Sequence, residues 1–476
     1  MKIFLYTLVL VSLQISVFGQ QVWLPKSQMQ HDLKYLKKAV AHGHVNPYYF
    51  RSEKAIDLYL DSVQTQLPDS LTEFQFWQIV HKALAFYNDA HTRTYADSYL
   101  KKYKAKGGTF FPAQVTLQNN QLLIKSASNA SPSLAMGDQI LAINGQTDQQ
   151  VIQELRAHAT KELTVLDDRS ISANFPYYFW LAYGRCNQVQ LKVRKANTQQ
   201  IETFTLKALP YQSPQSNQSR RAPANESFTY ERLSDSIGLI KIRDFNRHGR
   251  KYYRQKYEEA FAEINQNSQI KYLVLDFRGH NGGDARYGED LGRYIAVKPF
   301  RAASVTQWKV SKAFKKRFAG MYIPGALRWC RPLYVVNKHT RQIWRTKNGA
   351  VATVNHKKLK PYKASKRFQG KVFLLTDHQT FSAGSVFAAM FQDHQMGTIV
   401  GQPTGSLSSF YADPMMWYRL PNSKIRFQVS ASFIVRPNGS QKLETVQPDV
   451  LVPEDKDALE VVLERIVGKS KFEQKR

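Results

Sequence analysis

Ser382 is the residue whose place in the chain best fits covalent chemistry. The apolar run at residues 372–375 has the length and flanks of a buried strand, and apolar side chains recur at helical spacing after residue 382. Ser382 is therefore predicted at a strand-to-helix turn, with the small residues Ala383 and Gly384 behind it. A hydroxyl there lies beside free N–H groups and the positive end of a helix dipole, which can stabilise an oxyanion. The alternative is that Ser382 only caps the helix.

A serine hydroxyl becomes a good nucleophile only when a neighbouring base takes its proton. His91 is the candidate base, because it lies in the short polar segment NDAHT at the end of a predicted helix. The same position also has a purely structural explanation, since a helix C-terminus stabilises a charged imidazole. Gly282 and Gly283 follow a predicted buried strand at residues 272–276. Paired glycines let backbone approach a substrate closely, or simply form a turn.

Four blocks of the chain, in order, resemble the C-terminal processing peptidases, a serine-peptidase family that includes the tail-specific proteases and the tricorn core. The blocks are NDAHT at 88–92, YLVLDFRGHNGG at 272–283, FSAGSVFAAMFQD at 381–393 with GQPTG at 401–405, and LETVQPDV at 443–450. The resemblance implies that Ser382 is the nucleophile, that His91 is the general base and that Glu444 holds and polarises the imidazole or its bridging partner. It further implies oxyanion donors at the backbone N–H of Ala383 and of Gly282 or Gly283. The family motif needs no cofactor.

The chain resembles the branch of the family that uses histidine as base. Leu407 stands where lysine-dependent members place their lysine, which excludes a Ser–Lys dyad. Ala90 stands where the tricorn-like branch can carry a serine before the histidine. His91 would then need Glu444 directly, or a bridge through Thr92, Ser406 or water.

Two further positions depart from the family pattern: His280 replaces an asparagine, and Ser385 replaces a common glutamate. These departures keep a second class of function open. In that alternative, the chain is a peptide- or ligand-binding protein on the same scaffold that has lost hydrolysis.

The fold class expected is α/β, as a multidomain α+β chain. A strand, a helix, a strand, a glycine turn and a helix over residues 238–295 are typical of a parallel sheet with crossover connections. The resemblance implies a crotonase-like ββα spiral for the catalytic domain, after an N-terminal helical region and a PDZ-like β-rich domain. The predicted divisions are a signal peptide at 1–19, the helical domain at 20–104, the PDZ-like domain at 105–207, a linker at 208–228 and the catalytic domain at 229–476, with a basic insertion at 309–369.

Local patterns support these divisions. A capping box at residues 72–75 opens a helix in the first domain. Alternating apolar residues flank Asn119 and Asn120 in the second, which predicts a hairpin there. Within the basic insertion, the apolar runs at residues 334–336 and 351–354 suggest another hairpin.

The charge of the chain favours anionic partners. Its 476 residues carry a formal net charge of +30 and a sequence pI near 9.9. Nucleic acid is not expected, because no helix-turn-helix, RNP-like or zinc-finger pattern is present. An anionic envelope surface is therefore the candidate polyanion, beside a protein or peptide substrate, and the default alternative is that the basic run is only a solvated face. No metal is expected, because His42 and His44 lack acidic partners at ligand spacing.

Residues 1–19 have the layout of a secretory signal peptide, with Lys2 before an apolar run and Gly19 near the expected cut. No later segment is predicted to cross a bilayer. The expectation is an exported protein, periplasmic or secreted. Cys186 and Cys330 allow one disulfide in an oxidising compartment, or two free buried thiols. The oligomeric state is left open.

Overall fold

Helices build the N-terminal part of the chain. The computed structural model describes residues 23–127, 134–160, 162–211, 226–336, 340–453 and 455–473. The first elements are β1 (Trp23–Pro25), α1 (Lys26–Gly43), α2 (Glu53–Thr65), β2 (Ser70–Thr72), α3 (Glu73–Ala85), β3 (Arg93–Thr94) and α4 (Asp97–Ala105). The predicted capping box of α3 is confirmed, because the Gln75 N–H donates to Thr72 Oγ1 and the Thr72 N–H donates to Gln75 Oε1. The apolar face of α3 buries Phe76 and Trp77, each worth about 1.5–3 kcal/mol on burial.

An antiparallel sheet with three helices follows. Its elements are β5 (Ala113–Gln118), β6 (Gln121–Ala127), β7 (Gln139–Ile143), β8 (Gln146–Thr147), α5 (Asp148–Ala157), α6 (Thr164–Ala173), α7 (Phe175–Tyr183), β9 (Gln188–Arg194) and β10 (Ile201–Lys207). The flanking strands β4 (Thr109–Phe110) and β11 (Leu209–Pro210) pair with each other in a separate two-stranded sheet. The strand order is β10-β9-β7-β6-β5, with β8 on β7. The predicted hairpin joins β5 to β6, and Asn119 and Asn120 both have positive φ, as a tight two-residue turn requires.

The C-terminal part of the chain carries a mostly parallel sheet. Its elements are β12 (Phe228–Ser234), β13 (Ile237–Ile242), α8 (Arg250–Gln266), β14 (Tyr272–Asp276), α9 (Ala285–Ile295), β15 (Val305–Lys309), α10 (Lys312–Tyr322), α11 (Arg331–Val336), α12 (Arg341–Arg345), β16 (Val351–Asn355), β17 (Lys371–Thr376), α13 (Ala383–Asp393), β18 (Thr398–Gly401), β19 (Phe410–Arg419), β20 (Arg426–Val435), β21 (Val450–Leu451) and α14 (Ala458–Glu473). Two short 3-10 turns span Gly325–Leu327 and Ala364–Lys366.

The strand order of this sheet is β12-β13-β14-β17-β18-β21, and only β12 runs antiparallel to its neighbour. Successive residues of β17 face opposite sides, so Leu374 joins the core under α8, α9 and α13 while Leu375 joins the core under α14. In the register of β14 with β17, Asp276 pairs with Leu375. The segments that leave the carboxyl ends of these two strands therefore start side by side.

A second, antiparallel sheet connects the N-terminal part of the chain to this domain. Its order is β16-β15-β20-β19, and β3 pairs with β20 through Thr94 opposite Phe427 and Arg93 opposite Gln428. The strand β3 directly follows the NDAHT segment. The pairing therefore fixes that segment against the C-terminal part of the fold.

The hairpin predicted inside the basic insertion is wrong. Residues 334–336 end the helix α11, and β16 pairs instead with β15. A run of tyrosine and two valines has strand propensity, but tertiary packing overrides it here. The Tyr334 ring stacks on Trp344 of α12 at 4.3 Å between centroids.

The two cysteines are free thiols. Burial raises the pKa of Cys186 to about 11, which keeps that thiol protonated near neutral pH. Among the described residues, no helix has the length and apolar character needed to cross a bilayer. The predicted signal peptide at 1–19 and most of the predicted linker lie outside the described residues.

Candidate active site

Ser382 lies between the end of β17 and the first residue of α13, at the predicted strand-to-helix turn. Its backbone has φ 51° and ψ −115°, a region that side-chain-bearing residues rarely adopt. Such a conformation costs about 1–3 kcal/mol and persists only where the surroundings impose it. The Ser382 side chain makes no capping hydrogen bond to α13. The geometry therefore does not support the capping alternative.

A buried chain of hydroxyl groups holds this turn. The Ser382 N–H donates to Ser406 Oγ at 2.9 Å, and Ser406 Oγ donates to Ser385 Oγ at 2.8 Å. Ser385 Oγ in turn donates to the Thr380 carbonyl at 2.9 Å. The side chains of Ser385 and Ser406 are fully buried. Ser385, which replaces the common glutamate, thus links the start of α13 to the segment after β18.

The glycine loop after β14 lies directly against the turn. Gly282 and Gly283 have φ of +103° and +128°, which side-chain-bearing residues adopt only under strain. A Cβ atom on Gly282 would lie 2.9 Å from Ser382 Cβ and 3.4 Å from its Oγ. A Cβ atom on Gly283 would lie 2.3 Å from the Phe245 carbonyl carbon. Both positions therefore require glycine, and the first brings backbone to the Ser382 hydroxyl.

The N–H groups around Ser382 differ in their hydrogen bonds. The Gly282 N–H donates to His280 Nδ1 at 3.1 Å. Gly283 sits in a parallel bridge in which the Phe245 N–H donates to the Gly282 carbonyl and the Asp284 N–H donates to the Phe245 carbonyl. In that pattern the N–H of Gly283 itself points away from Phe245. Ala383 is the first helical residue of α13, where an N–H has no acceptor within the helix.

His280 fixes the glycine loop to the segment that leads into Ser382. Its carbonyl accepts the Phe381 N–H at 2.8 Å, and its ring stacks on Phe277 at 5.0 Å between centroids. Complete burial lowers the pKa of His280 to about 3. The ring is therefore neutral, which leaves Nδ1 able to accept the Gly282 N–H.

His91 lies in the turn after α3 and contacts Phe381, the residue before Ser382. Its ring is stacked between Phe381, at 5.3 Å between centroids, and Phe410, at 5.6 Å. Its carbonyl accepts a hydrogen bond from Gln428 Nε2 at 2.8 Å. His91 is 5% exposed. The structure thus places the ring of His91 on the residue that precedes Ser382, so the two halves of the chain already meet.

Asp89 anchors the backbone of this turn. Its Oδ1 accepts the His91 N–H at 2.9 Å, while Oδ2 accepts Thr92 Oγ1 at 2.6 Å and contacts His44 Nε2 at 3.1 Å. Burial opposes the charge of Asp89, but the hydrogen bond and charge interaction with His44 outweigh it and lower the pKa of Asp89 to about 2. Asp89 is therefore ionised wherever an imidazole titrates.

Glu444, the residue predicted to polarise the imidazole, contacts a cation of the C-terminal part of the chain. Its carbonyl accepts the Ser408 N–H at 2.8 Å, so its backbone follows the segment that carries Ser406. Its carboxylate lies 3.6 Å from an Arg436 guanidinium nitrogen, and the side chain is 46% exposed. Arg436 also binds Asp393. The structure pairs Glu444 with Arg436.

Residues 236–452, which include the glycine loop, Ser382 and Glu444, match the model of peptidase family S41. This C-terminal domain belongs to peptidase family S41. The protein is a serine-type peptidase, and the alternative of a scaffold without hydrolysis is not favoured. No curated protein sequence matches the chain.

The fold of the S41 peptidase is similar to that of solved structures with low sequence identity. Mature CPAF complexed with lactacystin is 14% identical, with a TM-score of 0.57 over 94% of this chain and 97% of that one. Mature CPAF alone is 14% identical, with a TM-score of 0.58 over 90% and 93%. The photosystem II D1 C-terminal processing protease is 16% identical, with a TM-score of 0.41 over 91% and 95%. The CPAF likeness extends the shared fold beyond the S41 domain to nearly the whole chain.

Glu162 lies beside His91 in the candidate site, and the sequence did not indicate it. It lies in the loop between α5 and α6, is 5% exposed, and accepts the Ala90 N–H on Oε1 at 3.3 Å. One ring nitrogen of His91, one oxygen of Asp89 and one oxygen of Glu162 all lie within 4.8 Å of one another. Nothing in the sequence around residue 162 matches a catalytic motif, because its place in the site comes only from tertiary packing.

The same three side chains are of the types that can ligate a metal ion. Both Asp89 oxygens, however, already accept hydrogen bonds from the His91 N–H, from Thr92 and from His44. This arrangement favours hydrogen-bond positioning of His91 in the S41 peptidase. It also gives His44 a structural role on Asp89.

Proposed function

We propose that the chain is an exported serine endopeptidase in which Ser382 is the nucleophile and His91 the general base. The observation that carries the proposal is the strained Ser382 turn, with the Gly282 backbone against its hydroxyl and the His91 ring on the adjoining Phe381. Substrates are proteins or peptides. The signal-peptide layout of residues 1–19 supports export, and the antiparallel sheet of β5–β10 supports the PDZ-like assignment.

Hydrolysis would proceed in two halves. Ser382 Oγ attacks the scissile carbonyl carbon while His91 takes its proton, and His91 then gives that proton to the leaving amine. The amine fragment departs, and the other fragment remains as an ester on Ser382. Water, losing a proton to His91, attacks this ester, and Ser382 regains its hydroxyl as the acid fragment leaves. Glu444, whose carboxylate lies 3.6 Å from an Arg436 guanidinium nitrogen, is the predicted polarising group for His91 or its bridge.

Two backbone N–H groups are best placed to stabilise the tetrahedral oxyanion. The Ala383 N–H lies at the positive end of α13, and the Gly283 N–H points away from its bridge partner Phe245. The Gly282 N–H is a weaker candidate, because it already donates to His280 Nδ1. Each well-aimed donor contributes about 3–4 kcal/mol to lowering the barrier.

A fluorophosphonate probe tests the proposed nucleophile directly. We expect a single label, located on Ser382 by mass spectrometry of the digested protein, because only an activated serine reacts rapidly with this electrophile. Ser382→Ala should remain unlabelled, and His91→Ala should label far more slowly. Folded protein that does not react, or a label on another serine, would contradict the assignment.

We further propose that the basic insertion is a positive surface for acidic substrates or an anionic envelope. Residues 309–369 contain no aspartate or glutamate. The insertion also exposes Trp329 by 79% and Val336 by 67%, apolar groups that suit a surface-bound partner. Phe314 of α10 packs with Met416 of β19. Met416 lies six residues along that strand from Phe410, which at about 3.3 Å per residue is on the order of 20 Å. The insertion is therefore attached to the same sheet that contacts His91.

Salt dependence tests this surface. We expect faster cleavage of acidic than of neutral peptides at low salt, and loss of the difference at about 1 M salt, where charges are screened beyond about 3 Å. Lys312→Gln with Lys316→Gln should weaken the preference. The control is Lys101→Gln with Lys102→Gln on α4, which removes the same charge elsewhere. Equal rates on both peptides at low salt would contradict the proposal.

A further inference from the structure

A carboxylate from the middle of the chain enters the proposed catalytic site. Glu162 belongs to the loop that follows α5, and it is held against the NDAHT segment by two hydrogen bonds. Its Oε1 accepts the Ala90 N–H at 3.3 Å, and its carbonyl accepts Asn88 Nδ2 at 3.1 Å. Asn88 itself has a φ of 59°, so this turn keeps an uncommon backbone conformation at the point of contact. Two hydrogen bonds thus hold Glu162 against the turn that carries His91.

Three carboxylates compete for the role of orienting the His91 ring. Both carboxylate oxygens of Asp89 already have hydrogen-bond partners in the His91 N–H, Thr92 and His44. Asp89 therefore holds the backbone of the turn. Glu444 lies on Arg436 and is half exposed. Glu162 is buried and has an oxygen within 4.8 Å of a His91 ring nitrogen. Catalytic hydrogen bonds are often long in a free enzyme and shorten when substrate binds.

We propose that Glu162 is the positioning residue for His91, in place of Glu444. The inference rests on the proposed function of Ser382 and His91. The Glu162 carboxylate would accept a ring N–H of His91, which selects the tautomer whose other nitrogen faces Ser382. It would also stabilise the imidazolium formed when His91 takes the serine proton; the proton stays on His91. Asp89 and Glu162 then give the base two anionic neighbours, while Phe381, Phe410 and Gln428 contribute no charge.

The arrangement makes the peptidase dependent on its middle part. The backbone of His91 is held by β20 through Gln428, and its ring is oriented by a residue that follows α5. A displacement of the loop at residue 162 would leave Ser382 and the glycine loop intact but deprive His91 of its orienting group. Turnover would fall while the binding of substrate stayed the same.

Glu162→Gln, Glu162→Asp and Glu444→Gln separate the candidates. We expect Glu162→Gln to lower kcat by at least about a hundredfold with KM unchanged, as loss of the orienting carboxylate does in other serine peptidases. Glu162→Asp, which keeps the charge, should restore part of kcat, and Glu444→Gln should have the smaller effect. The control is Glu202→Gln, which changes an exposed glutamate of β10. A larger loss in Glu444→Gln than in Glu162→Gln would overturn the proposal.

A measurement of the His91 ring distinguishes positioning from general damage. In protein with ¹⁵N-labelled histidine, assigned with His91→Gln, we expect Glu162→Gln to change the tautomer signal of His91 and to lower its pKa, since a carboxylate neighbour favours imidazolium. Parent-like kcat in Glu162→Gln, with Ser382→Ala inactive, would overturn the inference and leave the proposed function standing. If Ser382→Ala stays active, the proposed function fails. In that case the His91 ring spectrum alone decides about Glu162. A spectrum that Glu162→Gln leaves unchanged contradicts the contact, and a changed spectrum supports it.

Discussion

Replacing Ser382 by alanine is expected to abolish hydrolysis of casein and of short peptides, with almost no change in melting temperature. The loss should be on the order of 10⁶ in kcat, as for nucleophile replacements in other serine peptidases. Stability should persist because the Ser382 side chain makes no cap bond to α13 and alanine keeps the same backbone strain. Rates and thermal unfolding of the purified variant provide the measurement.

The matched control for this variant is Ser52→Ala. Ser52 Oγ accepts the Ala55 N–H and so caps α2, far along the chain from the site. That variant should lose about 0.5–2 kcal/mol of stability and keep its activity. If Ser382→Ala instead melts early and still cleaves substrate, Ser382 is a cap and the nucleophile lies elsewhere.

The second large effect is expected at His91. The rate of the parent protein should rise with pH through a transition at about 6–7, because neutral imidazole is the active base. His91→Ala should lower kcat with little change in KM, and its pH profile should lose this transition. Asp89, whose pKa is lowered to about 2, stays ionised throughout and cannot produce it. The measurement is kcat/KM against pH for both proteins.

The exposed His42 of α1 supplies the control, since His42→Gln should keep the parent profile. An unaltered transition in His91→Ala would assign the titration to another group. Cleavage by His91→Ala at the parent rate would remove His91 from the mechanism.

Local patterns were enough to predict the elements that carry the nucleophile. Each pattern predicts one local structure. The apolar run predicts the buried strand β17, the small residues predict the start of α13, and the paired glycines predict a close backbone turn after β14. Parallel strands end at one edge of a sheet, which explains why the glycine loop and Ser382 meet. The catalytic roles of Ser382, His91, Ala383, Gly282 and Gly283 remain predictions.

What the sequence did not reveal depends on tertiary contacts. The Ser382 turn is held by Ser406, and His91 contacts Gln428, pairs of residues with no common motif. Glu162 gives no signal because its segment has no resemblance to a catalytic block. Propensity predicts a strand at residues 334–336 because it is local, whereas the stacking of Tyr334 on Trp344 is a tertiary contact.

In the proposed mechanism, the strand pairing between β3 and β20 would also set when the enzyme can begin to work. Thr94 pairs with Phe427, and the hydrogen bond from Gln428 to the His91 carbonyl spans 337 positions. During synthesis, His91, the proposed base, is made early and must wait for almost the entire remaining chain before it is held in place. A polypeptide interrupted before residue 428 would carry a histidine without its strand partner. The long sequence separation would therefore act as a built-in latency, which keeps unfinished chains from cleaving one another or their neighbours.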